Sequence, residues 1–145
     1  MKRVLILGGT GEAATLAAQA AVLPEVEVIT SLAGRTRRPV TPSGRVRIGG
    51  FGGDAGLIDY IRAQRIDLLI DATHPFAAHI SFNAATAARA CGLPHLLLLR
   101  PAWEPMAGDR WIAVESIAAA VSILPNVAQR VFLTIGRQDL AAFAP

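Results

Sequence analysis

The stretch VLILGGTGEAATLA, residues 4–17, sets an apolar run directly against a glycine turn and a segment of small, helix-favouring residues. A short apolar run stopped by glycine reads as a buried strand, and the residues after the glycines have the spacing of a helix, so strand, turn and helix succeed one another without a linker. Within the turn, Gly9, Gly11 and Ala14 fit G-x-G-x-x-A, placed as a dinucleotide fingerprint requires: after a strand and opening a helix. Gly9 permits the tight turn, Gly11 lets backbone approach a pyrophosphate, and Ala14 is small enough for close helix-to-sheet packing. The same glycines would also serve a turn needed only for packing. Glu12, near the helix start, suits the positive end of the helix dipole.

Outward from this unit the pattern repeats. Strand-like runs fall at 3–7, 26–30, 45–49, 66–70, 95–99, 111–114 and 131–135, and helical patterns at 11–22, 54–64, 76–91 and 115–123. Pro24 follows the first helix, CGLP at 91–94 ends the third and LPN at 124–126 the fourth. Strands alternating with helices at this spacing predict an α/β chain: a Rossmann-like parallel sheet with helices on both faces. Ligands of such sheets sit beyond the carboxyl ends of the strands, so the residues that end each strand are the candidates for chemistry.

Bulk properties narrow the class. At 145 residues and 52% hydrophobic, the chain can bury roughly two-thirds of its unfolded surface. The single cysteine, Cys91, has no Cys or His at metal-ligand spacing, so neither a disulfide scaffold nor a metal site is expected. The opening MKRVLILGG has too short an apolar run for a signal peptide, and no run approaches the length of a membrane span, which leaves a cytoplasmic protein as the expectation. Net charge is +3, and all basic residues except Lys2 are arginine. Arg35, Arg37, Arg38, Arg45 and Arg47 lie between 35 and 47 with no acid among them, a candidate anion site. The aromatic interleaving of single-strand nucleic-acid binders is missing there, so no nucleic-acid partner is expected.

The residue ending the second strand discriminates between cofactors: NAD enzymes place a carboxylate there for the ribose hydroxyls, whereas NADP enzymes place arginine for the 2′-phosphate. Here the segment is ITSLAGRTRR, with Ser31, Arg35 and Thr36 and no carboxylate, which favours NADP. The loop IGGFGGDAGL has glycine at 49, 50, 52 and 53 around Phe51, giving room for a flat ligand, with Asp54 as a cap for the next helix. In DLLIDATHPFAAHIS, residues 67–81, Pro75 suits the first position of a helix and makes Thr73 or His74 its cap. His74 is suited to supply a proton or bind an acidic group, imidazole titrating nearest neutral pH, and a capping role alone would also account for it. His79 reads as a packing residue. Arg100 and Trp103 follow the fifth strand on the ligand side.

The segment VFLTIGRQDLAAFAP completes a strand, turns at Gly136 and begins a helix too short to be stable by itself, so a truncated chain is expected. It echoes the opening: Gly9 aligns with Gly136, Glu12 with Asp139, and Ala14 and Ala17 with Ala141 and Ala144. The expected organisation is therefore an NADP-binding domain over 1–129 and the start of a second α/β domain over 130–145.

LILGGTGEAATLA, SLAGRT, GGFGG, DATHPFAAHIS, RPAW and TIGRQDLAAF, in this order, resemble the precorrin-6A reductase family of cobalamin biosynthesis. The resemblance runs through the whole chain, and DATHPFA with SLAGRT is more specific than the glycine motif. It implies two Rossmann-like halves with cofactor and tetrapyrrole between them, and NADPH-dependent reduction of one carbon-carbon double bond of precorrin-6A, or of its cobalt form, to the 6B product. It implies further that Gly9, Thr10, Gly11 and Glu12 serve the pyrophosphate and Ser31, Arg35 and Thr36 the 2′-phosphate. Thr73, His74 and Phe76 would line the nicotinamide and substrate cleft, with Gly50, Phe51 and Gly52 as a substrate wall. Gly136, Arg137 and Gln138 would open the second half onto the same cleft. His74 is the candidate proton donor, with a solvent water or a substrate carboxyl as the alternatives. A flat, multiply carboxylated substrate suits an arginine surplus and glycine-rich walls, and needs no metal ligands. Other NADP-linked Rossmann reductases or epimerases would want a Tyr-x-x-x-Lys pair, and the chain has Tyr60 but only Lys2. A non-catalytic nucleotide-binding module is the remaining alternative.

Overall fold

The computed structural model describes residues 1–34, 42–136 and 139–144. The chain divides into two compact units, Met1–Pro101 and Ala102–Pro145. The first carries β1 (Lys2–Leu7), α1 (Gly11–Ala21), β2 (Val26–Leu32), β3 (Arg45–Ile48), α2 (Gly53–Gln64), β4 (Leu68–Asp71), α3 (Ala78–Cys91) and β5 (His95–Leu97). The second carries α4 (Ile117–Val127) and a 3-10 turn over Leu140–Phe143.

The five strands form one sheet in the order β3-β2-β1-β4-β5, and every neighbouring pair is parallel. This is the order of a dinucleotide-binding sheet, in which the chain crosses from one side of β1 to the other between β3 and β4. Alternation along the strands sorts the core. Val4, Ile6, Val28 and Ile70 pack with Ala13 and Ala17 of α1 on one face. Leu5, Leu7, Ile29 and Leu69 pack with Leu57 and Ile61 of α2 and the alanines of α3 on the other. Truncating a fully buried member such as Leu69 would cost about 2–5 kcal/mol.

Helix ends obey local chemistry. Thr10 caps α1, its side chain accepting from the Ala13 N–H, and Gly92 ends α3 in the left-handed conformation with its N–H on the Ala88 and Arg89 carbonyls. Close contact between α1 and the sheet falls on Ala13 and Ala17 rather than on Ala14, which is only half-buried. Gly8, outside the fingerprint, has the tight packing role: a Cβ there would meet Thr30 Cγ2 at 3.0 Å.

Several expectations fail among the described residues. Asp54 does not cap α2, whose N-cap is Gly52 with no side-chain cap bond; its carboxylate accepts the Ala55 N–H inside the first turn. The apolar runs at 111–114 and 131–135 are not strands, because apolarity supplies a buried face but not the neighbouring backbone that a ladder needs. Helix α3 begins at Ala78, not at 76, and Pro75 and Phe76 form a turn closed by the Ala77 N–H on the His74 carbonyl at 2.8 Å. Helix α4 continues through Pro125 to Val127, and the Ala128 N–H closes it on the Leu124 carbonyl. His79 is exposed and packs into no core. Among the described residues no helix is long and apolar enough to cross a membrane.

Candidate active site

At the carboxyl ends of β1 and β4 the chain builds a rim almost wholly from backbone and short side chains. Gly9 holds φ at +115°, a conformation that side chains rarely adopt. A Cβ placed on Gly9 or Gly11 would meet no described atom within 4 Å. The turn therefore opens onto free space at the N-terminus of α1, where backbone N–H groups and the helix dipole favour an anion. Thr10 ties this turn to the neighbouring strand: its hydroxyl donates to the Ala72 carbonyl at 2.8 Å while accepting from the Ala13 N–H.

Asp71 organises the other side. Its side chain is fully buried, and Oδ1 accepts both the Thr73 N–H (3.0 Å) and the Thr73 hydroxyl (2.6 Å). Its Oδ2 is buried with no hydrogen-bond partner among the described residues. Thr73 is thereby fixed, and the chain turns outward so that His74, Pro75 and Phe76 are all exposed. His74 Nδ1 accepts the Phe76 N–H at 3.2 Å, which in the neutral ring leaves the proton on Nε2. The Phe76 ring lies 5.1 Å from the imidazole and is 92% exposed.

Charge at this end is set by Glu12, in the first turn of α1, and Arg100, beyond β5. The guanidinium donates to both carboxylate oxygens at 2.9 Å, a bidentate geometry. The hydrogen bonds from Arg100 hold the Glu12 carboxyl below its ordinary value, and Glu12 in turn raises Arg100. A depression of about 480 Å³ runs along α1 beside this pair, from Gly11 to Gln19 with Leu98 opposite.

The ends of β2 and β3 form a second stretch of rim. Ser31 is buried, and register places it beside Arg47. The Arg47 guanidinium donates to Ser31 Oγ at 3.2 Å, to the Gly49 carbonyl, and to the Gly50 carbonyl at 2.6 Å. It also lies 3.8 Å above the Phe51 ring, which meets Tyr60 edge-on. Because β2 and β1 are neighbours, with the Gly8 N–H donating to the Ser31 carbonyl at 2.9 Å, the two stretches adjoin along one rim.

The chain has counterparts among known proteins. The family model described as "Precorrin-6x reductase CbiJ/CobK" matches residues 3–145. The chain belongs to the precorrin-6x reductase CbiJ/CobK family. It is 54% identical over 144 residues to a precorrin-6A reductase of Rhodococcus erythropolis, covering 99% of this chain and 58% of that one. A cobalt-precorrin-6A reductase of Salmonella typhimurium is 30% identical over 149 residues, covering 97% and 54%. A solved structure of "CobK precorrin-6A reductase" superposes with a TM-score of 0.91 at 48% identity, over 99% of this chain and 57% of that one. The chain thus spans a little over half the length of these relatives.

Of the residues that the precorrin-6x reductase resemblance points to, the structure brings Gly9, Thr10, Gly11, Glu12, Thr73 and His74 to the β1/β4 end, with Phe76 beside His74. It sets Ser31, Gly50, Phe51 and Gly52 together at the β2/β3 end. Arg35, Thr36, Arg137 and Gln138 lie outside the described residues. The basic cluster divides: Arg45 pairs with Glu27 at 3.0 Å, near the opposite edge of the sheet, and Arg47 faces the rim. Sequence reasoning gave Asp71 no role and placed Arg47 only within an anion-binding cluster, whereas its guanidinium is committed to Ser31 and the glycine loop. Asp71 had a signal, a carboxylate ending an apolar strand two residues before a threonine, the spacing of an Asx turn. For Arg47 the signal was weaker: an arginine two residues before a glycine pair and four before an aromatic ring.

Proposed function

We propose that this chain carries the dinucleotide-binding half of an NADPH-dependent reductase that converts precorrin-6A to precorrin-6B in cobalamin biosynthesis, in the cytoplasm. The observation that carries the reading is the open space above Gly9 and Gly11 at the crossover of a 3-2-1-4-5 sheet. A pyrophosphate would lie against backbone N–H groups there, and no described side chain comes within 4 Å of a Cβ built on either glycine. When bound, NADPH supplies the hydride that the reduction of a carbon-carbon double bond needs.

The chain's own residues bind and orient. Gly9, Thr10 and Gly11 hold the pyrophosphate, and Ser31 with Arg35 and Thr36 receives the 2′-phosphate. The loop of Gly50, Phe51 and Gly52 is tied through Arg47 to Ser31 at the β2/β3 end, so we assign it to the adenosine half of the cofactor in place of the substrate wall that the sequence suggested. Thr73, held by Asp71, sets the depth of the nicotinamide end. Phe76, its ring open to solvent, offers a flat apolar surface to a macrocycle. His74, when protonated, gives a proton to the carbon beside the one receiving hydride and is left as the neutral ring whose Nδ1 accepts the Phe76 N–H. Arg137 and Gln138, outside the described residues, are assigned to the substrate on the family resemblance alone. Identity of 54% to a precorrin-6A reductase against 30% to a cobalt-precorrin-6A reductase favours the cobalt-free macrocycle.

The test is NADPH oxidation with precorrin-6A and with its cobalt complex. Consumption of NADPH with the metal-free substrate, and formation of a product two hydrogens heavier, is expected. His74→Ala should lower turnover while sparing NADPH affinity; unchanged turnover would remove its catalytic role.

A further inference from the structure

The glycine-dense loop after β3 has four glycines and one ring, yet it is held at several points. Gly49, Gly52 and Gly53 adopt positive φ, and the Gly49 N–H donates to the Leu32 carbonyl at 2.8 Å. Gly56 in α2 lies against the loop so closely that a Cβ there would overlap the Phe51 carbonyl oxygen. Most of the remaining fastening comes from Arg47. Its planar fork spans two successive carbonyls, Gly49 and Gly50, and the hydroxyl of Ser31 on the next strand. Its flat face covers Phe51, 3.8 Å away, with Tyr60 at 5.2 Å. These are acceptors and surfaces of the chain itself, so this charge is committed to the loop.

Resting on the dinucleotide reading, we infer that Arg47 is a positioning residue: it keeps the 49–52 loop preformed as a wall for the adenosine half of the cofactor. Unfastened, a loop so rich in glycine would have to be ordered by the ligand, and affinity would fall by that ordering cost. Lysine cannot replace arginine in this role. A single ammonium keeps the charge but lacks the planar fork and the stacking face. A direct 2′-phosphate ligand would behave in the opposite way, tolerating lysine and affecting only the phosphorylated dinucleotide.

The experiment is calorimetric titration of the whole chain with NADPH and with NADH, for the unaltered protein, Arg47→Lys, Arg47→Ala and Phe51→Leu, alongside thermal melting. Both Arg47 variants should weaken the two dinucleotides by the same factor, about tenfold, and lysine should give no rescue. Phe51→Leu, which keeps every hydrogen bond but removes the ring, should give a smaller loss, equal for both ligands; it carries the test if the Arg47 variants do not fold. Rescue by lysine, a loss confined to NADPH, or a lower melting temperature with affinities unchanged would each overturn the inference while leaving the reductase reading intact. Absence of dinucleotide binding by the unaltered chain would overturn that reading and the inference with it.

Discussion

At the junction of β1 and β4 the rim is built from backbone: a glycine at φ +115°, a threonine cap and an Asx turn. At the ends of β2 and β3 it is held largely by one long side chain, Arg47, reaching across two strands and a loop. The first needs each residue to be of one chemical type at one position, since only glycine tolerates that φ and only a short acceptor closes the turn. The second needs a guanidinium at the right distance, which many backbones and spacings would allow. Backbone-built sites are thus readable from spacing, whereas sites fastened by a long side chain are readable only once register is known.

Substitutions at the backbone-built end should act most strongly. Gly9→Val forces a β-branched residue into a left-handed region, costing about 1–3 kcal/mol. It also fills the space above the turn, so dinucleotide binding should vanish in a titration while the melting temperature falls. Asp71→Ala leaves the two Thr73 donors without their acceptor, a loss of about 1–3 kcal/mol in denaturant unfolding. Asp71→Asn, which can still accept through one oxygen, should lose less; equal losses would mean that the charge and not the turn matters. Thr10→Ala removes a helix cap, about 1 kcal/mol, and also the link to the Ala72 carbonyl, so a loss well below that figure would separate the turn from β4.

The smallest effect belongs to Glu12, and it depends on pH. Arg100 holds the Glu12 carboxyl below its ordinary 4.5, so the pair's contribution is present above the unfolded value and lost as pH falls through the lowered folded one. Glu12→Gln should therefore melt slightly below the parent near neutrality and converge with it under acid conditions. A gap that widens toward low pH would contradict the ion pair. Both residues are well exposed, and added salt should narrow the gap at neutral pH.

These differences explain what the sequence made legible. The strand-turn-helix opening, the parallel sheet and helices on both faces come from period and punctuation, and all are present in Met1–Pro101. Gly9, Gly11, Thr73 and His74 were findable because strand ends in a parallel sheet share one edge. Beyond Pro101 the reading failed at 111–114 and 131–135, where apolar runs lack a paired neighbour. The start of α3 was misplaced because the side chains of Asp71 and His74 take the N–H groups of Thr73 and Phe76, a local competition that helix-start rules based on Pro75 ignore. Arg47 sat within a run of arginines that composition could treat only as a group. Pairing separates them: Arg45 goes to Glu27, and Arg47 to Ser31 and the glycine loop.

The central claim is that the rim is a dinucleotide site preformed by the turn at Gly9. Its most direct test is a calorimetric titration of the chain and of Gly9→Val with NADPH and NADH. Saturable binding of NADPH, tighter than NADH and abolished by the substitution, is the predicted result. No saturable binding of either nucleotide, or equal binding by Gly9→Val, would contradict it.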